Sequence, residues 1–188
     1  MNRTSIRCIA LASLVALAAC KREAPPAPEA AAPQTATPAA TAPAAKPKAV
    51  DYPTLKVETL DGSHFDLAEQ RGKWVVVNYW ATWCSPCLKE MPELSALDAM
   101  REHIVVIGLA YEDNTPEAMR AFLKEHPVVY PIALLDVYNP PADFDTPRGL
   151  PLTYLITPDG KLARKYTGPV TARMLEEGIA EAGGPVQG

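Results

Sequence analysis

Cys84-Ser85-Pro86-Cys87 stands at the junction of two different periodicities, and that junction restricts the chain more than any other feature. Upstream, Trp74-Val75-Val76-Val77-Asn78-Tyr79-Trp80 is a run of β-branched and aromatic residues, the pattern of a buried strand. Downstream, Leu88, Met91, Leu94 and Leu97 recur at helical spacing. Two thiols three positions apart at a strand-to-helix turn can close a small disulfide and reopen it, so the pair reads as a redox motif. The competing meaning of CxxC is half of a zinc site. A structural zinc needs two more ligands at compatible spacing. The other cysteines are Cys8 and Cys20, near the N-terminus, and His64, His103 and His126 show no paired spacing. No metal is expected.

The N-terminus carries an address. Arg3 and Arg7 form a positive region, and an apolar run over residues 9–17 is too short to span a bilayer as a helix. It ends in Leu17-Ala18-Ala19-Cys20, which resembles the lipobox of bacterial lipoproteins. The resemblance implies that residues 1–19 are a signal peptide and that Cys20 is lipidated after cleavage. Residues 20–48 then comprise the lipidated cysteine and a linker of mostly Ala and Pro, with almost nothing to bury. As polyproline II, residues 21–48 would reach on the order of 85 Å. This is the composition of a tether.

Residues 49–188 are expected to form one domain, large enough to bury roughly two-thirds of its unfolded surface. The domain carries 12 Lys/Arg against 20 Asp/Glu, a net of −8, which disfavours nucleic acid as a partner. Its only cysteines are Cys84 and Cys87. Exported domains often use disulfides as staples, but a loop this small gains little from closure. Exchange chemistry explains the pair better than stapling does.

The rest of the domain reads as a sequence of elements. Strands at 55–59 and 64–67 flank Asp61-Gly62, a hairpin signal. A helix from about Pro86 to 101 follows the 74–80 strand, with Pro86 in its first turn, where a missing N–H is harmless. A second buried strand is predicted over 104–110. Thr115 caps a helix over 116–125, and an extended run follows at 130–135. Strands at 152–157 and 161–166 flank Pro158-Asp159-Gly160, and a helix over 171–182 closes the domain.

This order, with the residues around the two cysteines, resembles the TlpA/ResA-type thiol–disulfide reductases, bacterial members of the thioredoxin superfamily, over about residues 52–182. Five features carry the resemblance: Trp83 before Cys84 and Cys87; Pro92 in the following helix; Pro151 in Gly149-Leu150-Pro151; Glu90, which completes CxxCxxE; and Asn78, where cytoplasmic thioredoxins keep a buried aspartate. The resemblance implies an α/β thioredoxin-like fold, a central mixed sheet flanked by helices with an N-terminal β-hairpin addition. It implies that Cys84 is the exposed attacking thiol and Cys87 the buried resolving thiol. Glu90 would be a buried acid serving Cys87, and Pro151 a cis-proline facing the disulfide. Trp83, Pro86 and Leu150 would contact substrate. No cofactor is implied. The implied partners are disulfide-containing extracytoplasmic proteins, such as apocytochrome c or metallochaperones, and a membrane thiol-electron transporter of DsbD/CcdA type. The protein would face the periplasm, held at a bacterial membrane by its lipid.

Two departures stand out. Residues 139–148 replace the short helix that relatives place before the cis-proline, and this segment is expected to border the site. The Gly-Val-x-Gly-x-Pro-Glu stretch of cytochrome-maturation thioredoxins is missing. Three other functions compete with reduction. A disulfide-donating oxidase would use the same two thiols. A thiol peroxidase wants Thr or Ser three residues before its cysteine, and Ala81 stands there instead. A copper-handling module usually spaces its cysteines by three residues and adds a histidine.

Overall fold

The computed structural model describes residues 50–185. The signal peptide, Cys20, the linker and the outermost residues of the expected domain lie outside the described residues. The chain runs β1 (Lys56–Glu58), β2 (His64–Asp66), a 3-10 turn (Leu67–Gln70), β3 (Trp74–Trp80), α1 (Ser85–Met100), β4 (Ile104–Ala110), α2 (Pro116–Glu125), β5 (Ile132–Leu134), β6 (Leu152–Ile156), β7 (Leu162–Thr167) and α3 (Ala172–Glu181). β1 and β2 pair as an antiparallel hairpin apart from the main sheet, which has the order β5-β4-β3-β6-β7. β3, β4 and β5 are parallel; β6 and β7 run antiparallel. This is the mixed sheet expected from the sequence, with the N-terminal hairpin added.

β3 is the axis of the fold, and all seven of its residues are buried. Alternate side chains leave a strand on opposite faces, so β3 serves two different cores. Val76 and Trp80 belong to a cluster with Cys84, Cys87, Met91, Leu94 and Leu97 of α1, Met119 of α2, and Leu175 and Ile179 of α3. Val75, Val77 and Tyr79 belong to a second cluster with Leu55, Phe65 and Leu67 of the N-terminal segment, and with Phe144. The buried residues of all three helices therefore lie on one face. The hairpin, the 3-10 turn and the loop carrying Phe144 cover the other. Each fully buried Val, Leu or Ile contributes about 1.5–3 kcal/mol by leaving water.

Local chemistry sets the element ends. Thr115 and Thr171 cap α2 and α3, accepting from Ala118 N and Met174 N at 3.2 Å each. Both hairpin turns use one device: Thr59 Oγ1 donates to Asp61, and Thr157 Oγ1 to Asp159, each followed by a glycine in the left-handed region, Gly62 at φ +86° and Gly160 at φ +90°.

The segment at 139–148 departs from expectation. It has no regular structure, but Phe144 is buried and packs edge-on against Tyr154, with ring centroids 5.0 Å apart. Asp143 accepts from both the N–H and the hydroxyl of Thr54, and Asp145 pairs with Lys165. The segment thus covers the face opposite the cysteines. Leu150, two residues beyond the segment, packs against both clusters. Proximity in sequence to Pro151 suggested a border with the site; an aromatic anchor takes the loop to the other face.

Candidate active site

Cys84 ends the loop after β3 and is the N-cap of α1. Its backbone is extended, at φ −87° and ψ 91°, and its sulfur accepts from the Cys87 N–H at 3.3 Å. A helix N-terminus offers unpaired N–H groups and the positive end of the macrodipole, and both favour a thiolate. Pro86 lies in the first turn, where it deprives the helix of no hydrogen bond. Cys84 and Cys87 are joined in a disulfide, with Cα atoms 5.2 Å apart.

The expected exposure of Cys84 needs correction. In this oxidised state Cys84 is 4% exposed and Cys87 0%. The bond ties Cys84 Sγ to a sulfur one turn inside the helix, and the same sulfur accepts from the Cys87 N–H. The remaining exposure of the pair still belongs to Cys84 alone. Trp83 forms the outer surface here at 69% exposure, and Ser85 and Pro86 are also exposed. Trp80, by contrast, is a fully buried core residue.

Beneath the pair lies a buried polar group. Glu90 is one turn beyond Cys87 on the same side of α1 and is 3% exposed. It takes a place in the stripe Cys87, Glu90, Met91, Leu94, Leu97, while Leu88 is only half-buried. Its Oε1 accepts from Asn78 Nδ2 at 2.8 Å, and its Oε2 accepts from the Val170 N–H at 2.8 Å. Burial pushes the Glu90 carboxyl up to about 7, against the downward pull of these two donors. A carboxyl with that affinity exchanges protons readily at neutral pH.

The partners of Glu90 come from well-separated parts of the chain. Asn78 lies in β3, paired across the sheet with Gly108 on one side and Thr153 on the other. Its Nδ2 also donates to Thr153 Oγ1 at 2.9 Å. Thr153 follows Leu150-Pro151, whose peptide bond is cis. Pro151 is buried and Leu150 half-buried. Gly108 admits Ile132 and Tyr130 close to the backbone: a Cβ there would lie 2.4 Å from Ile132 Cδ1 and 3.0 Å from the Tyr130 ring.

Sequence reasoning missed three contributors. Glu112, just after β4, accepts from Thr82 N and Thr82 Oγ1 at 2.8 Å each and so pins the loop that delivers Cys84. Thr153 and the Val170 N–H complete the buried polar group. Long-range contacts bring all three in. The only local hint was Thr153, two residues past the proline. Among the described residues, no group of three or more His, Cys, Asp or Glu is placed to hold a metal ion, and no helix is long and apolar enough to cross a membrane.

Comparison with known proteins agrees with this geometry. The model of the AhpC/TSA family matches residues 49–179. The thiol-disulfide oxidoreductase ResA of Bacillus cereus is 34% identical over 125 residues, covering 66% of this chain and 72% of that protein. ResA of Bacillus subtilis is 31% identical over 128 residues, covering 68% and 71%. Among solved structures, a thiol:disulfide interchange protein of the thioredoxin family from Chlorobium tepidum TLS matches with a TM-score of 0.59 at 23% identity, over 73% of this chain and 99% of that one, and supports the fold. With its cysteine pair capping α1 at the end of a buried strand, the chain belongs to the AhpC/TSA family as a thiol-disulfide oxidoreductase similar to ResA.

Proposed function

We propose that this thiol-disulfide oxidoreductase works outside the cytoplasm, held to a membrane through lipidated Cys20, and that it reduces disulfides of partner proteins. The observation that carries the reading is Glu90, a buried carboxyl one helical turn beyond Cys87 with its proton affinity raised to about 7. In the reduced enzyme, the Cys84 thiolate attacks one sulfur of a partner disulfide. That S–S bond breaks, and the partner's other sulfur leaves as a thiolate that takes up a proton. Cys87 then gives its proton to the Glu90 carboxylate, and its thiolate attacks Cys84 Sγ. The mixed disulfide breaks, the departing partner thiolate takes up the proton held by Glu90 so that the partner leaves as a dithiol, and the enzyme, having given up two electrons, is left with the Cys84–Cys87 disulfide. A membrane dithiol carrier of DsbD/CcdA type restores the pair by the same exchange.

Trp83 and Pro86, both exposed beside Cys84, and Leu150 would receive the partner chain. Pro151 would shape that surface from the neighbouring loop. The alternative direction, donation of the disulfide, uses the same atoms, so potential decides between them. Titration of the pair against glutathione or dithiothreitol is expected to give a value nearer thioredoxin, about −270 mV, than DsbA, about −120 mV. A value above roughly −160 mV would overturn the reductive direction. Anchoring is tested separately by fractionation: Cys20→Ala should leave the membrane while the wild type stays bound, and a wild type found free of membranes would refute the anchor.

A further inference from the structure

Asn78 is fully buried at the centre of the sheet, and its two amide atoms fare very differently. Nδ2 donates to Glu90 Oε1 and to Thr153 Oγ1, whereas Oδ1 is buried without a partner. An orphaned buried polar atom is costly; rotating the amide by half a turn would give Oδ1 two partners if both neighbours offered hydrogens, and would leave the Nδ2 hydrogens on the side without a partner, so the turn is favoured only where a hydrogen on Glu90 Oε1 would otherwise face the N–H. The Thr153 hydroxyl can rotate to donate. Glu90 can donate only when protonated. The charge on Glu90 therefore decides which end of the amide faces it.

We propose that Asn78 is a positioning residue for the proton on Glu90, its amide turning between two states. With Glu90 ionised, Nδ2 faces the carboxylate and gives it a charge-assisted hydrogen bond. With Glu90 protonated, Oδ1 faces it, accepts the carboxyl proton on Oε1, and accepts from Thr153 as well. Oε2 keeps the Val170 N–H in both states. One side chain thus supports both the form of Glu90 that takes a proton and the form that returns it. That use in turnover rests on the proton-transfer reading of Glu90.

Other ionisable groups stand near Glu90. Glu93 on α1 raises its proton affinity. Tyr130, from the segment before β5, is kept neutral by burial and by the charges of Glu90 and Asp98. Cys87, one turn away on α1, does not titrate in the oxidised state. The oxidised protein therefore removes Cys87 from the titration around Glu90.

The test is NMR on the oxidised, isotope-labelled full chain carrying Cys20→Ala, over about pH 5 to 9, following the Glu90 carboxyl carbon and the Asn78 side-chain amide. Above the Glu90 midpoint, the Asn78 Nδ2 protons should show cross-relaxation to the Glu90 side chain. Below it those contacts should disappear, and in Glu90→Gln they should not change with pH. In Asn78→Ala the ionised form loses the stronger of the two bonds. The Glu90 midpoint should then rise by about one pH unit, and the pH profile of turnover should shift upward equally. Unchanged amide contacts on both sides of the midpoint would overturn the inference, even if Asn78→Ala fails to fold. A moving amide combined with wild-type turnover in Glu90→Gln would instead uphold it and refute the proton-transfer reading.

Discussion

The two faces of β3 are built from alternate residues of one seven-residue strand, yet they are organised differently. Val75, Val77 and Tyr79 look into a core with Phe144, Tyr154 and Leu67. Tyr79 lies near three other rings, Tyr111, Phe144 and Tyr154, with centroids 6.1–6.3 Å away. Val76, Asn78 and Trp80 look the other way. There the strand meets the helix that holds the cysteines, and its Asn78 holds a carboxyl. One face relies on apolar and aromatic packing. The other gives up packing at its centre for a titratable group 3% exposed to solvent. Both faces hold a hydrophobic core, but the exchange chemistry sits on only one of them.

The largest expected effect is on the aromatic face. Phe144→Ala removes a buried ring in contact with Tyr154 and unpins the loop at 139–148. It should destabilise the protein by about 3–5 kcal/mol in urea unfolding. Turnover per folded molecule and the potential of the Cys84–Cys87 pair should stay at wild-type values. A fall in turnover at unchanged stability would mean that the two faces are not separate.

The second effect is a dependence of stability on pH that arises on the other face. Folded Glu90 holds its proton up to about 7, whereas the unfolded chain releases it near 4.5. Between these values the folded state binds more protons, so stability falls as pH rises. The contribution is complete below the unfolded value and is lost as pH rises through about 7. It amounts to about 3 kcal/mol. Asp61 and Asp159 have lowered affinities and act at lower pH with the opposite sign. Comparing wild type with Glu90→Gln cancels them. The variant should gain on the wild type as pH rises from about 5 to 8. Parallel stability curves would show that Glu90 does not titrate in this window.

A smaller effect is expected at the loop before Cys84. Glu112→Ala removes two hydrogen bonds to Thr82 and should cost about 1–3 kcal/mol, with a few-fold loss of turnover. Glu112→Gln, which can still accept one of the two bonds, should lie between. If both variants match wild type in stability and rate, the Thr82 anchor is dispensable.

Much of the catalytic face was legible in the sequence because its signals are local. The β-branched run before Cys84, the helical spacing after Cys87 and the cap at Thr115 each lie within a few residues of what they specify. Glu90 could be placed beside Cys87 by helical geometry alone. Its hydrogen-bond partners could not, since Asn78 lies 12 residues away and Val170 lies 80. Residues 139–148 depart from expectation for the same reason. Their neighbours in the chain point to the site, but Phe144 is drawn to rings on the opposite face. The burial of Cys84 in the disulfide is set by packing around the pair, which no local signal states.

The most direct test of the account is the pH profile of disulfide reduction by wild type and Glu90→Gln, measured with insulin from about pH 6 to about pH 9. If Glu90 takes the proton of Cys87, the variant should fold normally and lose on the order of ten- to several-hundred-fold in turnover near pH 7. The deficit should shrink toward pH 9, where Cys87 ionises without help. Equal rates and superimposable pH profiles would contradict the account, leaving Glu90 a buried carboxyl with no part in the exchange.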